Sequence, residues 1–161
     1  MGAEAFPTLD EFDRKVLNAL QYDFAVSEQP YLDIATKLNS TEDAVLTRVR
    51  GLYAKGLIRR LGASIDSRQV GYVCVLVALK VDEEFLLKVA KVVNSFTGVT
   101  HNYLREGDYN MWFTAIAPDK ESLDNILAII QATPGVEAVM PLPAKRVFKV
   151  SVKFPLAVGC E

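Results

Sequence analysis

One histidine, one tryptophan and two cysteines in 161 residues leave little room for several classes of chemistry. Cys74 and Cys160 stand far apart and lack metal-ligand spacing, which argues against a disulfide scaffold or a zinc cluster and for a reducing cytoplasm. Cys74 lies in an apolar run and reads as a small core residue, while Cys160 falls in a terminal tail. No Ser-His-Asp set, phosphate loop or dinucleotide fingerprint is present, which argues against a hydrolase or a nicotinamide enzyme. No charged-then-apolar leader opens the chain. The longest apolar run, Val70 to Leu79, stops at Lys80 and the acidic Asp82-Glu83-Glu84, so no membrane span is expected. Charge of one sign is missing too. With 18 basic against 20 acidic side chains, affinity resting on a phosphate backbone is not expected, although a local basic patch would still fit.

What remains is a chain half hydrophobic and about a quarter charged, enough for one globular domain or two small ones. Thr8 with Glu11 suits a capping box, and Phe12, Val16, Leu17 and Leu20 recur at helical spacing up to Tyr22. Tyr31 to Leu38 makes a short second helix with Leu32, Ala35 and Leu38 on one side. Thr41 caps a third, Glu42 to Ala54, with Val45, Val49 and Leu52 as its buried stripe, and Lys55-Gly56 stops it. Residues 57–61 and 63–66, parted by Gly62, are expected to pair as a β-wing. Residues 1–71 are thus expected to form a winged helix-turn-helix domain. DNA is a poor partner for it. The third helix opens with Glu42-Asp43, and residues 1–72 carry nine basic against ten acidic side chains. A structural or dimerising role fits better.

Residues 72–161 read differently. Tyr72 to Val81 is apolar almost throughout, like a strand covered on both faces. Phe85 to Phe96 is an amphipathic helix, residues 100–115 a hairpin, Leu123 to Ile130 a second helix and Val136 to Met140 a fourth strand. The order βαββαβ is ferredoxin-like, an α+β fold with both helices on one face of an antiparallel sheet. After it, Leu142 to Phe154 alternates like a strand, with Lys145, Lys149 and Lys153 on one side and Arg146, Phe148, Val150, Val152 and Phe154 on the other. It can serve as a lysine-blunted edge or as a cationic strand that holds carboxylates.

The hairpin carries the chemistry. A turn at Gly107-Asp108 sets Arg105 opposite Asn110, Tyr103 opposite Trp112 and His101 opposite Thr114. Those six share one face, and Leu104, Met111, Phe113 and Ala115 the other. The apolar face suits the helices, which leaves His101, Tyr103, Arg105, Asn110 and Trp112 on the open side. Since the first strand is apolar on both faces, that side is expected to be covered by another copy or a related subunit, with a cavity between the sheets. There His101 can supply a proton or ligate a metal. Trp112 and Tyr103 can stack on a flat ligand or simply pair across the strands, and Arg105 with Asn110 can hold a carboxylate or simply be a solvated pair.

The order of elements resembles the AsnC/Lrp family, as do Phe12-Asp-Arg-Lys-Val-Leu-Asn-Ala-Leu20 and Val49-Arg-Gly-Leu-Tyr-Ala-Lys-Gly-Leu-Ile58. Arg59-Arg-Leu-Gly-Ala-Ser-Ile65, His101-Asn-Tyr103, Tyr109-Asn-Met-Trp-Phe113 and Lys145-Arg-Val-Phe-Lys149 resemble its siroheme decarboxylase branch. The resemblance implies removal of carboxyl groups from two acetate side chains of siroheme, giving didecarboxysiroheme, by paired related subunits or a homodimer. It implies no cofactor beyond the iron that siroheme itself carries. On this reading Arg105, Asn110, Lys145, Arg146 and Lys149 bind carboxylates, and Trp112 and Tyr103 line the ring. His101, assisted by Tyr103, donates a proton or serves as an axial ligand to the substrate iron. The rival reading is an AsnC/Lrp-type transcription regulator that senses a small molecule or haem.

Overall fold

A computed structural model describes residues 8–157, so Cys160 lies outside the described residues. The chain divides into two compact units. Ser64–Phe148 forms one, and the described residues on either side of it form the other. The expected boundary at residue 71 therefore falls earlier, and the C-terminal segment goes with the first unit instead of the second.

In the flanking unit, α1 (Glu11–Tyr22), α2 (Pro30–Lys37) and α3 (Glu42–Ala54) enclose Val16, Ala19, Ile34, Ala35, Val45, Val49, Leu52 and Ile58. The cap of α1 is Asp10 rather than Thr8. Its carboxylate accepts from the Asp13 N–H at 2.6 Å, and the buried Asp13 carboxylate accepts from the Asp10 N–H at 3.0 Å. Arg48 of α3 donates to both carboxylates, at 2.7 and 3.2 Å, which ties α1 to α3. Thr41 caps α3 as its sequence indicates, through the Ala44 N–H. In α2 the buried pair is Ile34 and Ala35, while Leu32 is exposed.

The expected wing does not form: residues 57–66 contain no strand. Only Ile58 there is buried, with Leu61 and Ile65 exposed, and a two-stranded hairpin with no face to bury is marginal in water. Nor is the basic segment a strand. Residues 143–157 pair with no neighbouring strand, and Phe148, Val150 and Val152 are exposed. Its backbone partners are side chains of α1. The Asn18 amide donates to the Leu156 carbonyl and accepts from its N–H, both at 2.9 Å. The Gln21 amide does the same for Phe154 at 3.2 and 3.1 Å, and Arg14 donates to the Ala157 carbonyl at 3.2 Å. Arg14, Asn18 and Gln21 recur at helical spacing, so they form one row along α1.

The Ser64–Phe148 unit holds β1 (Val73–Val81), α4 (Leu86–Ser95), β2 (Val99–Leu104), β3 (Met111–Ala117), α5 (Lys120–Gln131) and β4 (Val136–Leu142). The four strands form one antiparallel sheet in the order β2-β3-β1-β4, the ferredoxin-like arrangement that the sequence indicates. Alternate residues Val75, Val77, Leu79 and Val81 of β1, with Met111, Phe113, Ala115 and Ala117 of β3, face Val89 and Val93 of α4 and Leu123 and Ile130 of α5. The opposite face carries no helix. There Leu76 is 42% exposed and Cys74 is exposed rather than a core residue. The burial of β1 on both faces is thus half realised within one chain.

Candidate functional site

The open face of β2 and β3 is set by the hairpin register. His101 stands opposite Thr114 and Tyr103 opposite Trp112, and the Arg105 N–H donates to the Asn110 carbonyl at 2.8 Å. Gly107 turns the chain with φ +115°, a region that L side chains rarely adopt. At the other end the ladder slips. Val99 pairs with Ala115 and His101 with Thr114, so Thr100 is an extra residue in a β-bulge. Gly98 stands beside this bulge, in close contact with the backbone of β3. The Ile116 N–H donates to its carbonyl at 2.8 Å, and a Cβ on Gly98 would overlap the Ile116 carbonyl oxygen.

Leu76, His101, Tyr103, Arg105, Trp112, Phe113 and Thr114 line an open hollow of about 250 Å³. The His101 and Tyr103 rings lie 6.1 Å apart at 29°, and the Arg105 guanidinium lies 6.0 Å from the centre of the Trp112 ring. The Trp112 indole N–H donates to the Tyr109 carbonyl at 2.7 Å, which fixes that ring in the floor. His101 Nδ1 meets the Thr100 hydroxyl at 3.0 Å, and Nε2 has no hydrogen-bond partner among the described residues. The site thus offers a cation, two aromatic planes and an imidazole on one surface, a set suited to a flat anionic ligand.

Four expected residues stand elsewhere. Asn110 turns its amide onto β1: Nδ2 donates to the Val81 carbonyl at 2.7 Å and Oδ1 accepts from the Val81 N–H at 3.0 Å. With both ends of the amide bonded to that backbone, Asn110 clasps the hairpin to β1 and does not line the hollow. Lys145, Arg146 and Lys149 are exposed and do not line the hollow, and Arg146 lies over the Phe148 ring at 5.1 Å. Conversely, Leu76 and Thr100 are missing from the sequence reading. Leu76 follows from the β1–β3 register, which sets it opposite Thr114, and Gly98 beside a strand is the one hint of a bulge.

A larger hollow of about 460 Å³ between α1 and α3 is a weaker candidate, because its Arg48 and Asp13 already satisfy each other. Among the described residues no three His, Cys, Asp or Glu side chains converge as metal ligands, and no helix is long and apolar enough to cross a membrane.

Three helices followed by a ferredoxin-like unit with a free sheet face define the AsnC-like class. The family model of the AsnC-like ligand binding domain matches residues 69–149, and that of the siroheme decarboxylase NirDL-like HTH domain matches residues 13–59. The chain belongs to the siroheme decarboxylase family. It is 43% identical over 150 residues to the siroheme decarboxylase alpha subunit of Desulfovibrio desulfuricans, covering 93% of this chain and 86% of that one. Among solved structures, the siroheme decarboxylase NirDL in co-complex with an iron-uroporphyrin III analogue is 32% identical with a TM-score of 0.68, over 92% of this chain and 48% of that one. An AsnC family transcriptional regulator from Agrobacterium tumefaciens gives a TM-score of 0.76 at 25% identity, over 91% of this chain and 97% of that one.

Proposed function

We propose that this chain is a siroheme decarboxylase subunit that converts siroheme acetate side chains into methyl groups, giving didecarboxysiroheme in the cytoplasm. The observation that carries the reading is the 43% identity to a siroheme decarboxylase alpha subunit across 93% of the chain. The hollow supports it in chemical detail. Arg105 anchors a peripheral carboxylate, and Trp112 with Tyr103 meets the macrocycle. Loss of CO2 leaves an electron pair on the methylene carbon, delocalised into the macrocycle. His101, assisted by Tyr103, then delivers the proton that completes the methyl group. Lys145, Arg146 and Lys149 make no ion pair among the described residues and are proposed as outer contacts for the remaining carboxylates. The iron arrives with the substrate, and no further cofactor is invoked.

A hollow of about 250 Å³ falls below the roughly 300–1,000 Å³ typical of ligand sites, and a tetrapyrrole is a large guest. One sheet is therefore half of the enclosure, and a second subunit supplies the other half. The solved NirDL chain, of which this one spans 48%, has room for two such lengths. We favour a related subunit over a second copy as that partner.

A regulator is less well supported, since α3 opens with Glu42 and an exposed Asp43 where a recognition helix approaches phosphates. Anaerobic incubation of the purified chain with siroheme, alone and with a related subunit, followed by mass spectrometry, decides between the readings. Loss of two CO2 per macrocycle is expected. No loss in either mixture, together with tight salt-dependent binding to an operator, would favour the regulator.

A further inference from the structure

In a regular strand, neighbouring residues point to opposite faces and cannot bond side chain to side chain. Thr100 and His101 are such neighbours, yet the Thr100 hydroxyl lies 3.0 Å from His101 Nδ1. The bulge allows it. With Val99 opposite Ala115 and His101 opposite Thr114, Thr100 has no partner across the ladder, and the local twist brings its side chain to the His101 side. Next to the bulge, Gly98 takes the close pass of Ile116, where a Cβ would overlap the Ile116 carbonyl oxygen. The Thr100 hydroxyl makes no other hydrogen bond among the described residues.

We propose that Thr100 is a positioning residue that accepts a hydrogen bond from His101 Nδ1–H and so makes Nε2 the nitrogen that transfers the proton. This rests on the proton-donor role of His101 given above. In the imidazolium form both nitrogens carry hydrogen. As CO2 leaves, the Nε2–H bond breaks and a C–H bond forms at the carbon that lost the carboxyl group. The ring is left neutral with its hydrogen on Nδ1, still bonded to Thr100, and solvent returns the proton to Nε2. No partner has to change during the step. A histidine that ligates a metal is backed as a rule by a carboxylate, a carbonyl or a water. An uncharged hydroxyl instead suits a ring that alternates between charged and neutral.

His101 is the sole histidine, so ¹⁵N-histidine labelling of the untagged chain gives a single imidazole to observe. At a pH where the ring is neutral, the wild type is expected to carry its hydrogen mainly on Nδ1. Thr100→Val should move the hydrogen toward Nε2, and Thr100→Ser should restore it. With siroheme, and the related subunit where activity requires it, Thr100→Val should lower kcat about two- to tenfold, the worth of one hydrogen bond, with KM little changed and kcat recovered by Thr100→Ser. A wild-type ring with its hydrogen on Nε2, or spectra and kcat unchanged in Thr100→Val, would overturn the proposal. If the wild type fails to decarboxylate siroheme in any mixture, the functional reading falls, while the spectra still decide the Thr100–His101 pairing.

Discussion

Asn110 and Val81 join the hairpin to the central strand: one side-chain amide satisfies both the N–H and the carbonyl of a single backbone residue, at 3.0 and 2.7 Å. Removing the amide leaves those two part-buried groups unpaired. Asn110→Ala is therefore expected to lower stability by about 1–3 kcal/mol, read as a lower urea midpoint, while the affinity for siroheme stays within about twofold. A loss of affinity with unchanged stability would return Asn110 to the ligand.

Trp112 is the only tryptophan and lies in the floor of the hollow, so its fluorescence reports that surface alone. Siroheme is expected to quench it on binding. Arg105→Ala should weaken that titration about tenfold or more, the worth of a hydrogen bond to a charged group. Binding without quenching would move the ligand elsewhere.

Gly98→Ala sets a methyl group against the Ile116 carbonyl, and backbone cannot step aside as a flexible side chain can. The expected result is a loss of about 1–3 kcal/mol in thermal or urea unfolding, the usual cost of overpacking, together with a displaced His101 ring and a lowered kcat. Full stability with full activity would show that the bulge does not need its glycine.

Acid should act on both units. The N–H of Asp13, and after it the Arg48 guanidinium, hold the Asp10 carboxyl below its ordinary range, and the Ser122 N–H does the same for Asp119 at the start of α5. A carboxyl lowered in the folded state stabilises the fold above its unfolded pKa, and that contribution is lost as pH falls through the folded value. Unfolding midpoints should thus hold steady from neutrality to about pH 5 and drop below pH 4. Asp10→Asn is expected to flatten the part of that drop that belongs to the helical unit.

Period and turn chemistry made most of the fold readable. The three facing pairs from His101–Thr114 to Arg105–Asn110 follow from Gly107-Asp108 and alternation, and the ferredoxin-like order follows from six segments of the right periods. The failures share a cause. The expected strand from Leu142 to Phe154 alternates correctly and the wing at 57–66 is parted by Gly62 as a hairpin would be, but neither has an apolar face to lie on, and a local pattern alone does not supply one. Asn110 sits on the correct side of the hairpin, yet the reach of its amide to Val81 depends on how β1 lies beside β3, which no local pattern encodes. The slip at Thr100 is invisible for a related reason: counting outward from the turn assumes that each residue has one partner.

The row of Arg14, Asn18 and Gln21 reads only backbone atoms of residues 154–157, so it gives the helical unit a piece that is made after residues 64–148. In synthesis the three helices are made before residues 64–148, and the segment that α1 binds is made after them. The helical unit is thus closed by residues that follow the sheet in sequence, and removing residues 154–157 would be felt at α1.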